Sequence, residues 1–198
     1  NENDIARSYL QQAADLFREL GNDYYLGIAY QGMAVLSFGE EAFEYAQTGY
    51  EILKETDDVQ GQGMCIWTMG DAQYEMGNNE EALVYYQQAK TIFEEIAYAE
   101  GIANVNSNIG KILARTGRHE EAYPYLINAL TIARKSRFDD VLKATYQGLS
   151  YYYAGKGNSE LAMDYLDSMV VVSDTLFNRD KSEALLEAEA RLKTKEKE

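Results

Sequence analysis

Ala42, Ala82, Ala122 and Ala162 are spaced 40 residues apart, and Tyr45, Tyr85, Tyr125 and Tyr165 repeat that spacing. Upstream, Ala29, Met69, Ile109 and Leu149 keep it, as do Gly77, Gly117 and Gly157. A chain built this way is a row of similar small units, each burying its apolar face against the next. A period of 40 falls where stacked helical hairpins are expected. Each unit reads as two helices. In the first, Ile102, Val105, Ile109 and Ile112/Leu113 recur at intervals of three and four, which puts them on one face.

A glycine then closes the first helix, because glycine enters the left-handed backbone region at little steric cost. The second helix opens on acids (Glu40–Glu41, Glu80–Glu81, Glu120–Glu121, Ser159–Glu160), which suit the positive end of a helix dipole. Alanine at 42, 82, 122 and 162 lets the two helices of a pair approach closely. The first unit has Gly39 in place of a glycine at 37, and the fourth carries an additional Gly155. In "NDIARSYLQQAADLFREL", residues 3–20, Ala6, Leu10 and Ala13 match Ala82, Tyr86 and Ala89, so this segment reads as a second helix without its first. The array is therefore expected to open mid-repeat, as an excised piece of a longer chain would.

"MGDAQYEMGNNEEALVYYQQA" (69–89) carries Gly70, Gly77, Ala82, Tyr86 and Ala89 in order, and "IGKILARTGRHEEAYPYLINA" (109–129) carries Gly110, Gly117, Ala122, Leu126 and Ala129. These residues resemble the tetratricopeptide repeat, and the resemblance covers residues 3–172. The 40-residue period resembles the long variant found in kinesin light chains and in peptide-sensing bacterial regulators. The proline that often closes the shorter repeat is missing, while Pro124 is expected near a first helical turn, where it is tolerated. The implied fold is all-α, a right-handed solenoid of antiparallel helix pairs. Residues 1–173 would form an orphan helix plus four pairs, and 174–198 a charged helical tail.

Charge and motifs narrow the function. The net charge is −15, and residues 1–89 hold three cations against sixteen acids, a net of −13. Such a surface repels phosphate backbones, so no nucleic-acid binding is expected of this segment. Mean hydropathy is −0.44, no apolar run approaches the roughly 18 residues that would cross a bilayer, and "NENDIARSYL" has no secretory pattern. No membrane insertion by the segment is expected. Cys65 is the only cysteine and His119, beside the Gly117 turn, the only histidine, which argues against a zinc site and against a catalytic histidine. Nucleophile-elbow, phosphate-loop and metalloprotease motifs are absent, and "GQG" at 61–63 reads as a polar turn between units. No catalytic residue, metal or cofactor is expected.

A solenoid offers a partner its concave surface, lined mainly by the first helix of each unit. In "GIANVNSNIGKILARTG" (101–117), Asn104, Asn108, Lys111 and Arg115 form a stripe beside the apolar one. Asparagine supplies donor and acceptor together, which suits the main chain of an extended peptide. Three asparagines in five residues also lower helix propensity, a cost that an ordinary exposed face avoids. In the resembling family, asparagines on this face commonly bind peptide. One repeat earlier stand Met64, Trp67, Asp71 and Tyr74. Trp67, the only tryptophan, is either an interface anchor or packed between repeats. Gln31 in the first unit, and Gln147 with Tyr151 in the fourth, extend the surface. The expected partner is a peptide or a protein.

After Val172 the repeat does not restart. Leu185, Ala188 and Leu192 keep three-four spacing in a charged tail, a thin coiled-coil seam that would support a weak homodimer. The tail resembles the segment that, in bacterial sensor proteins with amino-terminal repeats, leads to a coiled coil or membrane span. A histidine kinase, nucleotide cyclase or DNA-binding output then follows. The resemblance implies a sensory or regulatory module, on the extracytoplasmic side if a membrane span follows. A scaffold or assembly adaptor without signalling output is the other reading.

Overall fold

A computed structural model describes the backbone of residues 2–195 and the side chains of 3–179, 181 and 182. Among the described residues the chain is a run of helices with no strand. The order is α1 (Glu2–Glu19), α2 (Asp23–Val35), α3 (Gly39–Leu53), α4 (Val59–Glu75), α5 (Asn79–Glu95), α6 (Ala99–Arg115), α7 (His119–Ser136), α8 (Asp139–Gly155) and α9 (Ser159–Lys195). Each helix packs on its chain neighbour, and α1 covers the open side of α2. First helices α2 and α4 also touch, as do α6 and α8, while second helices meet through side chains, as Phe43 of α3 meets Tyr85 of α5. The first helices therefore line the inner, concave side. This is a tetratricopeptide-like helical solenoid.

The turns inside units share one chemistry. Gly77, Gly117 and Gly157 have φ of +85°, +81° and +75°, and the next residue donates back five positions: Asn78 N to Gln73 O, Arg118 N to Leu113 O and Asn158 N to Tyr153 O, each at 2.9 Å. That loop satisfies the last carbonyls of the first helix. Between units, the same left-handed position falls to Ala97 (φ 53°) and Arg137 (φ 58°). In the first unit no glycine follows α2. Gly39 opens α3 instead, and its N–H donates to Glu75 Oε2 at 3.0 Å.

Small residues set the helix spacing. Ala82 and Ala122 are fully buried, and a Cβ on Gly110 would lie 2.6 Å from Leu126 Cγ. Three sequence expectations are corrected. "GQG" is no turn: Gly61 and Gly63 are buried inside α4, where a Cβ would lie 2.9 Å from Leu53 and 2.6 Å from the Phe93 ring. Absence of a side chain, and not flexibility, is what that stretch supplies. Pro124 sits inside α7, beyond the first turn, so Glu120's carbonyl lacks its usual donor. His119 is the first residue of α7, with its ring edge-on to Tyr152 and against Gly155.

Helix α9 runs through the expected boundary at residue 173 without a break. The coil-seam residues Leu185, Ala188 and Leu192 lie outside the residues whose side chains are described.

Candidate partner-binding groove

Two features meet on the inner face at α4. The first is a groove of about 320 Å³ between α2 and α4. Ala34, Val35 and Phe38 form one wall, while Met64, Trp67 and Asp71 of α4 form the other. Phe38 is 72% exposed, so a large apolar surface stands at the mouth. Two buried polar atoms in this groove have no hydrogen-bond partner, Ser37 Oγ and Trp67 Nε1. Trp67's ring touches the cores on both sides of it, so the indole is packed between repeats and also presents its edge to the groove.

The second feature is a polar seam between α4 and α6. These two helices stand apart, unlike α6 and α8, and side chains bridge the gap. Asp71 Oδ1 accepts from Tyr86 Oη at 2.7 Å and from Asn108 Nδ2 at 3.0 Å. Arg115 donates to the Tyr74 hydroxyl, and Lys111 Nζ lies 5.0 Å from the centre of the Tyr74 ring. Burial raises Asp71 to about 6, although the Tyr86 hydrogen bond and the Lys111 charge oppose the rise. Burial likewise lowers Lys111, against the pull of Asp71. Tyr86 is raised by burial and by the Asp71 charge. The indole of Trp67 lies near enough to favour the Asp71 charge, without the geometry of a hydrogen bond.

The eleven candidate residues thus divide. Met64, Trp67, Asp71, Tyr74, Asn108, Lys111 and Arg115 gather in the groove and seam. Gln31 shares a smaller hollow with Met64. Asn104 is turned onto its own helix, its Nδ2 donating to Glu100 O at 3.1 Å. Gln147, half-buried, and Tyr151, exposed, lie on α8 beside α6 without joining the seam. Sequence reasoning missed Ser37 and Phe38, which fall in the irregular first turn, and Tyr86, which reads as plain core. Among the described residues no cluster of three or more His, Cys, Asp or Glu could hold a metal ion. No helix among them is long and apolar enough to cross a membrane.

A family profile described as tetratricopeptide repeat matches residues 101–168, and another of the same description matches 66–95. The chain carries tetratricopeptide repeats. Such repeats are protein-interaction modules, generally without catalysis of their own. No curated protein matches the sequence. Among solved structures, BtubC (BKLC) from P. vanneervenii is similar with a TM-score of 0.58 at 13% identity, over 89% of this chain and 92% of that one. Aspartyl phosphate phosphatase F from Bacillus subtilis is similar with a TM-score of 0.63 at 16% identity. That similarity covers 86% of this chain and 55% of the phosphatase. At these identities the likeness is one of fold.

Proposed function

We propose that this chain captures an extended peptide, or a peptide-like segment of a protein, in the groove between α2 and α4. The ligand's main chain continues along the seam of Asp71, Asn108, Lys111 and Arg115. One observation carries the reading: Ser37 Oγ and Trp67 Nε1 are buried in this groove without a hydrogen-bond partner, while the neighbouring Asp71 already accepts from Tyr86 and Asn108. A buried donor without an acceptor costs about 1–3 kcal/mol, a cost that a ligand carbonyl removes on binding. Phe38, Val35 and Met64 give an apolar ligand side chain a surface to cover. A peptide meets both needs, since carbonyls alternate with side chains along it.

The same reading makes the chain a sensory or regulatory region of a bacterial signalling protein, with α9 as the route to an output. Helix α9 supports it by running on past the last packed repeat as one continuous helix. Selection from a random peptide library on the intact chain tests the groove. Selected peptides should bind Trp67→Ala and Asn108→Ala variants at least about tenfold more weakly. Peptides that bind both variants as well as the parent would remove the groove from consideration. Selection that yields no binder, alongside large protein complexes retained by the chain, would favour the scaffold reading.

A further inference from the structure

On the far side of α6 lies a second cavity. Ile102 and Asn106 stand about half a turn around the helix from Asn104, Asn108, Lys111 and Arg115. They floor a groove of about 580 Å³ between α5 and α7, facing away from the polar seam. Asn106 is only 2% exposed. Its Nδ2 donates to Asn128 Oδ1 at 2.7 Å, but its Oδ1 accepts from nothing among the described residues.

The repeat shows that this is a departure. One period earlier the same position is Ile66, and one period later it is Tyr146. Ile66 needs no partner, and the Tyr146 hydroxyl has one in Arg134 at 3.3 Å. Only the third unit places an open acceptor here. Its neighbour on α7 is equally unusual, since Pro124 stands where the other units have Glu44, Val84 and Asp164.

The surroundings define the ligand. Ile102, Pro124, Tyr125 and Ile132 give flat, apolar walls. The charged groups at the rim, Lys90 and Glu94, pair with each other at 2.7 Å and leave no net charge to attract an ion. A ligand that fits is uncharged, flat and apolar, with one hydrogen-bond donor on its edge. We propose that this groove is a second binding site, for an uncharged aromatic compound of the indole class whose N–H donates to Asn106 Oδ1. The site is independent of the peptide groove between α2 and α4, whose polar seam meets the opposite face of α6.

Indole and N-methylindole separate the donor from the ring, since they share a body and differ in the N–H. Titration of the intact chain, followed by the side-chain amide signals of Asn106 and Asn128 in NMR spectra, should give saturable shifts with indole. N-methylindole should bind at least about fivefold more weakly, the loss of one hydrogen bond. In Asn106→Ile, the residue that α4 uses at this position, the two compounds should bind alike while helicity and Tm hold or rise. Absence of saturable shifts with indole overturns the proposal, and so does equal binding of the two compounds to the parent chain. The comparison on the parent chain decides even if Asn106→Ile fails to fold.

Discussion

Asp71 is the residue whose environment most departs from that of a free side chain. Its carboxyl is raised from the ordinary 3.8 to about 6 because burial disfavours the charge. The folded chain therefore holds that proton more tightly than the unfolded chain does. This contribution to stability is fully present below about pH 4 and is lost as pH rises through about 6. Asp71→Asn keeps an oxygen for Tyr86 and Asn108 and cannot ionise. Its stability relative to the parent should improve by about 1–3 kcal/mol between pH 4 and 7, read by denaturant melts at both ends. Parallel curves for the two proteins would show that burial does not govern this carboxyl. Cys65 gives a simpler check. Burial pushes its thiol up to about 12, so it should react with a thiol reagent at pH 8 only on unfolding. The sequence stripe of Asn104, Asn108, Lys111 and Arg115 is correct as a helix face, yet Asn104 bonds its own helix while Asn108 bonds Asp71. Periodicity says which residues share a face. It cannot say which of them finds a partner across 37 residues of chain.

At the scale of helices, the repeat spacing made most of the architecture legible. Alanine and glycine at fixed intervals mark close approaches, and Gly77, Gly117 and Gly157 after α4, α6 and α8 mark left-handed turns. Gly110→Ala should cost about 1–3 kcal/mol, because its Cβ would meet Leu126 within 2.6 Å in a filled core. Unaltered thermal stability would mean that α6 and α7 are not held this closely. The opposite sign is expected between units. Ala97 occupies a left-handed position that glycine adopts freely, so Ala97→Gly should raise stability by about 0.5–1 kcal/mol. The "GQG" stretch shows the limit of reading glycine as punctuation. The same residue type ends one helix at Gly77 and lets another pass close to Phe93 at Gly63. Only the packing partner, which is distant in sequence, distinguishes the two uses.

The whole molecule is acidic, and unevenly so, with the net of −13 in residues 1–89 repelling itself. Moving from about 0.01 M to 0.15 M salt shortens the screening length from about 30 Å to about 8 Å. Tm should rise over that range, and a fall would mean that the ion pairs on the surface outweigh the repulsion. The separation of α4 from α6 has a mechanical meaning as well. Beyond it, α6 and α8 are pressed together, and before it α2 and α4 touch. Between them lie Asp71, Asn108, Tyr74 and Arg115, joined tip to tip. Tightly packed helices resist bending, whereas hydrogen bonds between side chains can re-form as helices tilt. The buried cluster of Ile66, Met69, Phe93 and Val105 also ties α4 to α6 through α5, so any bend between these helices turns about that cluster while the polar contacts re-form.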